Sequence, residues 1–183
     1  TEDPVRMLRA LEFTARLGFS LDEQTREAIY QRAPLIAEAA PSRLRDELME
    51  LFRHQVGGVV LRDAQAMGLL APLLAGYRGE AATFTLLEQI DQRTRQSKPP
   101  EEPFVLAALY LEAFARECPA DADQHVGDAL RAANMLLTPH CQHFRISHGV
   151  RHIARELLVG IFRLRRGPGF KGERRFLRHP QTS

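Results

Sequence analysis

Apolar residues along this chain recur three and four positions apart in nearly every segment, the spacing that builds one buried face of an α-helix. Val5, Leu8, Leu11 and Ala15 form the first such series. It is preceded by Asp3-Pro4, which can cap the opening turn without sacrificing a bonded N–H, and stopped by Gly18. A second helix is expected from about residue 21 to just before Pro34. A third opens at Pro41-Ser42, carries Leu44, Leu48, Leu51 and Phe52 inward, and is broken by Gly57-Gly58. Further helices are expected at 59–67 (closed by Gly68), 81–94, 103–117, 122–137 and 146–165. Ser97-Lys98-Pro99-Pro100 is the clearest loop. The run Phe104 to Leu111 reads as the centre of a second core, and a short helix is expected around 173–178 in the tail. No segment alternates with the period of a strand and no fixed repeat is present, so the fold class expected is all-α.

Composition narrows the class. The chain has 183 residues, 44% of them hydrophobic, with no apolar run near the roughly 20 residues that span a bilayer and no signal segment at its start. A cytoplasmic protein is expected. The first residue is Thr rather than Met, which reads as an excised piece of something longer. Cys118 and Cys141 lie far apart without a partner motif and are expected to be reduced thiols.

Charge changes the picture more. Net charge is only +2, but residues 131–183 hold ten Arg, one Lys and two Glu, a balance of +9 against −7 for the rest. Such asymmetry points to an anionic partner for the C-terminal third, nucleic acid foremost. Only Lys98 and Lys171 are lysines. Arginine suits planar contacts to phosphates and bases, although a GC-rich genome also favours it.

Candidate chemistry opens the chain. Asp3 and Arg6 are three apart and can share one side of a helix start, with Arg9 and Arg16 continuing it. A carboxylate beside a guanidinium can read the amino donor and ring acceptor of adenine or cytosine. The same spacing also fits plain helix capping with a surface ion pair.

The run Glu2-Asp3-Pro4-Val5-Arg6-Met7-Leu8-Arg9 resembles the E/D-D-x-x-R-x-x-R segment of the class II nucleotidyltransferases, a family that includes CCA-adding enzymes and bacterial poly(A) polymerases. The resemblance implies that Asp3 and Arg6 read the incoming base and that Glu2 and Arg9 support them. Glu12 stands where the family usually has Arg, which puts any phosphate contact there in doubt. The likeness continues through Leu17-Gly18-Phe19, Leu21-Asp22, Ala33-Pro34-Leu35, Pro41-Ser42-Arg43-Leu44, Glu47 to Phe52 and Gly68 to Leu73. It implies a neck and RNA-binding helical domain over 1–75, a helical body over 76–137 and an arginine-rich RNA-binding region over 138–183. Arg163, Arg165, Arg166, Lys171, Arg174, Arg175 and Arg178 are the RNA-contacting candidates. That basic end resembles poly(A) polymerases more than CCA-adding enzymes.

The family's catalytic head carries a Gly-Ser loop and paired acids for Mg²⁺. No Gly-Ser pair occurs here, and the one Asp-x-Asp, Asp121-Ala122-Asp123, reads as a cap before a helix. The resemblance thus implies a piece that is catalytically silent and binds no metal or cofactor itself, from an enzyme using ATP and Mg²⁺ with RNA as partner. A CCA-adding enzyme and a stand-alone helical RNA-binding module are the alternatives. His140, Cys141, His143, His148 and His152 read as core or RNA-facing residues rather than metal ligands, because Arg145 and Arg151 would repel a cation. Phe144 and Phe162 read as core, and Phe170 and Phe176 as base-stacking candidates.

Overall fold

A computed structural model describes residues 3–121 and 123–167. The expected all-α class holds: nine α-helices and one short 3-10 helix make up the described residues, with no strand among them. They are α1 (Arg6–Leu17), α2 (Glu23–Arg32), the 3-10 helix (Ala33–Glu38), α3 (Pro41–Arg53), α4 (Gly57–Ala66), α5 (Leu70–Leu73), α6 (Ala81–Thr94), α7 (Glu102–Glu117), α8 (Val126–His143) and α9 (His148–Arg165).

The chain forms two compact units, one of Thr1–Pro100 with His143–Arg145, the other of Glu101–Gln142 with Ile146–Ser183. In the first, α4 is the hub. It packs against α6 most extensively and also against α1, α3 and α5, with Val60, Leu61 and Ala64 fully buried. Two glycines permit this. A Cβ on Gly58 would stand 2.3 Å from the backbone nitrogen of Glu88 on α6, and one on Gly57 would stand 2.4 Å from the Phe52 ring. The expectation that Gly57-Gly58 ends α3 is therefore corrected: the pair opens α4, where Gly58 faces backbone and admits only hydrogen. Asp91 of α6 completes the junction, its Oδ2 accepting from Gly58 N–H at 2.8 Å and so satisfying one of the free amides that begin α4. Burial pushes the Asp91 carboxyl up to about 6, against the opposing pull of the Gly58 and Gly57 N–H groups.

The helix stop of α3 is Gln55, which adopts φ 58° while Val56 N–H donates to Leu51 O at 3.0 Å. That is a Schellman turn without glycine.

In the second unit α7 and α9 pack together, and a core forms from Leu106, Phe114, Ala133, Leu137, Leu158 and Phe162. Cys118 and Cys141 are free and buried. Helix α8 runs to His143 straight through Pro139, where the sequence suggested an end at 137. Proline removes one N–H and crowds the carbonyl four residues back. Burial of Leu137 before Pro139 and of His140 and Cys141 after it carries the helix through. Arg145, at φ 52°, provides its stop, with Ile146 N–H donating to Cys141 O at 2.9 Å.

Phe144 and Phe162 are buried as expected of core residues. Asp121 Oδ1 accepts from Asp123 N–H at 3.2 Å, closing a local turn. The start of α8 is held instead by Asp128, whose Oδ2 accepts from His125 N–H at 2.7 Å. No helix among the described residues is long and apolar enough to cross a membrane.

Candidate nucleotide and RNA site

The lead-in to α1 is built by Asp3. Its Oδ1 accepts from Val5 N–H at 3.1 Å, and Arg6 N–H donates to the Asp3 carbonyl at 3.1 Å. These contacts fix the carboxylate at the mouth of the helix while Val5, Leu8 and Leu11 anchor the opposite face in the core. Helix α1 itself begins at Arg6, with Val5 at its N-cap and no side-chain cap, so Asp3 closes the preceding turn where the sequence suggested a helix cap.

The ion pair is present too, with a different partner. Arg43 Nη2 on α3 donates to Asp3 Oδ2 at 2.5 Å. The Arg43 hydrogen bond holds the Asp3 carboxyl below the usual carboxylate range, with smaller help from the Val5 N–H and the charge of Arg9. Arg6 projects into solvent, and no side chain among the described residues engages its guanidinium. Asp3 and Arg6 therefore sit three residues apart at one helix end, the first anchored and the second unengaged.

Two further bridges run between α1 and α3. Arg9 donates to Glu47 through Nη2 at 2.7 Å and Nε at 3.4 Å, and the Glu47 hydrogen bond strengthens the hold of Arg9 on its proton. Glu12 is buried. Its Oε1 accepts from Arg16 Nη1 at 3.2 Å and lies 2.6 Å from His54 Nδ1, close enough to pair with a protonated imidazole though not aligned as a hydrogen bond. The family's usual Arg at this place is replaced by an acid that faces inward to α3. Arg43, Glu47 and His54 have no role in the sequence reading. Arg43 and Glu47 stand in the family-like runs Pro41-Ser42-Arg43-Leu44 and Glu47 to Phe52, and His54 lies in neither.

At the other end, Ser147 caps α9 by accepting from Val150 N–H at 3.3 Å. Of the arginines expected to hold RNA, Arg165 is exposed and Arg163 half-buried. Arg166 donates to the Gln124 carbonyl and lies 5.6 Å from the Phe162 ring centre. Glu2, Lys171, Arg174, Arg175 and Arg178, with Phe170 and Phe176, lie outside the described residues. Among the expected histidines, His140 is buried with Nδ1 at 3.1 Å from the Tyr110 hydroxyl, and His152 Nδ1 lies 2.8 Å from Arg155.

Residues 18–78, from the end of α1 through α5, match the family described as "Probable RNA and SrmB-binding site of polymerase A". Poly(A) polymerase I of Salmonella typhi is 27% identical over 98% of this chain and 42% of its own length. Poly(A) polymerase I of Haemophilus influenzae is 32% identical over 60% of this chain and 26% of its own. A CCA-adding enzyme of Geobacillus kaustophilus is 42% identical over 47% of this chain and 20% of its own. The chain spans less than half the length of the curated relatives it matches. Over the matched residues the helical chain is thus similar to poly(A) polymerases and CCA-adding enzymes.

Proposed function

We propose that this chain supplies base selection and RNA holding to a cytoplasmic polynucleotide adenylyltransferase, an enzyme that adds AMP from ATP to RNA 3′ ends during RNA processing. The observation that carries the reading is the similarity to a poly(A) polymerase I along 98% of the chain, basic end included. In this reading Asp3 and Arg6 form the base reader. Arg43 keeps the Asp3 carboxylate ionised and fixed, so a free lone pair can accept from an exocyclic amino group while Arg6 donates to the neighbouring ring nitrogen. Arg9, tied to Glu47, and Glu2 hold the reader in place. Residues 1–75 act as neck, 76–137 as body and 138–183 as an RNA-binding end. ATP and Mg²⁺ belong to the intact enzyme, whose metal-binding carboxylates lie in a catalytic head.

One observation favours a second reading. The Geobacillus CCA-adding enzyme shares a higher identity, 42%, though over only 47% of this chain. The products separate the two. Given RNA and one nucleotide at a time, the intact enzyme is expected to build a run of A from ATP alone. Addition of C followed by a single A would assign CCA synthesis, and RNA binding without any transfer would assign a stand-alone module.

A further inference from the structure

One face of α1 is unusual for a helix whose other face is wholly buried. Phe13 is 53% exposed, Leu17 60% and Phe19, just past the helix, 70%. Positions 6, 13 and 17 fall on one line of a helix, and 9 and 16 flank it. An exposed guanidinium thus heads the line at Arg6, the apolar Phe13 and Leu17 follow it, and Arg9 and Arg16 stand beside it. The Arg16 guanidinium stands 5.9 Å from the Phe13 ring centre, so cation and ring share one patch. Phe19 is placed firmly: Gly18 adopts φ 68°, and Phe19 N–H donates to Thr14 O at 3.1 Å.

We propose that this face, from Arg6 to Phe19, is a stacking surface for the bases of single-stranded RNA. The proposal rests on the reading of the chain as RNA-holding and adds where part of that hold lies. Three features select RNA as the occupant. Rings flanked by guanidinium groups offer flat, sequence-tolerant contact to any base, the recurring arrangement for unpaired strands. Arg9 and Arg16 are already answered by Glu47 and Glu12, so the patch is nearly neutral and works through stacking more than through phosphate charge. Arg6 heads the same face about 10 Å along the axis from Phe13, which sets stacked bases beside the end that reads the incoming nucleotide. The exposed rings therefore extend the base reader along the helix instead of duplicating the arginine-rich C-terminal end.

The test is fluorescence anisotropy with labelled oligo(A) RNA at several salt concentrations, using the 183-residue chain and its Phe13→Ala/Phe19→Ala variant. The expected result is a loss of affinity of roughly tenfold or more per ring with an unchanged salt slope, and recovery in Phe13→Tyr/Phe19→Tyr. Both rings lie at the surface, so the melting temperature should not move. Unchanged affinity in the alanine variant overturns the inference. So does a variant that binds RNA normally but converts a wild-type dimer into a monomer in sedimentation, which would make the face a self-association surface. Absence of RNA binding by the wild-type chain would defeat the functional reading itself, whereas binding that ignores both rings would defeat this inference alone.

Discussion

Asp3, before α1, and Arg43, on α3, meet at 2.5 Å although 40 residues separate them in sequence. The pair makes the aspartate of the turn before α1 a fixed, ionised acceptor, and among the described residues no side chain engages the neighbouring Arg6. Arg43 is thereby a positioning residue for the proposed base reader.

Removing it should be visible directly. In Arg43→Ala the Asp3 carboxyl is expected to titrate closer to the ordinary carboxylate range, since its largest stabilising contact is gone. NMR titration of the Asp3 carboxyl checks this. Because the pair is exposed, the melting temperature should hardly change. An unmoved Asp3 titration would contradict the assigned pairing.

Gly58 sets how closely α4 can approach α6. Gly58→Ala places a methyl group 2.3 Å from the Glu88 backbone nitrogen, where no side-chain rotation can relieve the clash. Chemical denaturation is expected to show a loss of about 3 kcal/mol or more, the upper range for overpacking. Gly57→Ala meets a movable Phe52 ring and should cost less.

Asp91 predicts a pH dependence. Burial pushes its folded carboxyl up to about 6, above the ordinary carboxylate range, so the folded state holds the proton more tightly than the unfolded chain. The associated stability is fully present below pH 4 and is lost as pH rises through 6. Asp91→Asn keeps an acceptor for Gly58 N–H and removes the titration. The variant should match wild type near pH 4 and exceed it above pH 7 by on the order of 2–3 kcal/mol. Parallel denaturation curves at both pH values decide it. A constant difference would contradict the buried-carboxylate account.

The apolar spacing made the helices and both cores legible in sequence, including the fates of Phe144 and Phe162. Helix ends were legible where glycine supplied the left-handed residue, as at Gly18 and Gly68, and where the apolar spacing gave out, as at Thr94, Glu117 and Arg165. Gln55 and Arg145 adopt the same conformation without glycine's chemical signature, so the stops of α3 and α8 escaped notice. Helix α8 runs past the expected end at 137 and through Pro139, where tertiary burial outweighs a local breaker. Asp3 and Arg6 were legible as a motif, but Arg43, Glu47 and His54 were not. Their roles depend on how α3 lies along α1, which no local pattern in either helix encodes.

The arginine-rich end predicts strong salt dependence. If about six of its cations contact phosphate, log affinity for poly(A) RNA should fall with log salt at a slope near −4. Replacing Arg174, Arg175 and Arg178 by Ala should reduce the magnitude of that slope by about 2. Filter binding measures both, and a slope indifferent to the three substitutions would place the phosphate contacts elsewhere.

The most direct test of base reading is Arg6→Ala in the intact enzyme, with AMP, CMP, GMP and UMP incorporation into an RNA 3′ end measured side by side. The account predicts a sharp fall in ATP use or in the preference for ATP. Normal AMP incorporation at normal selectivity would contradict it.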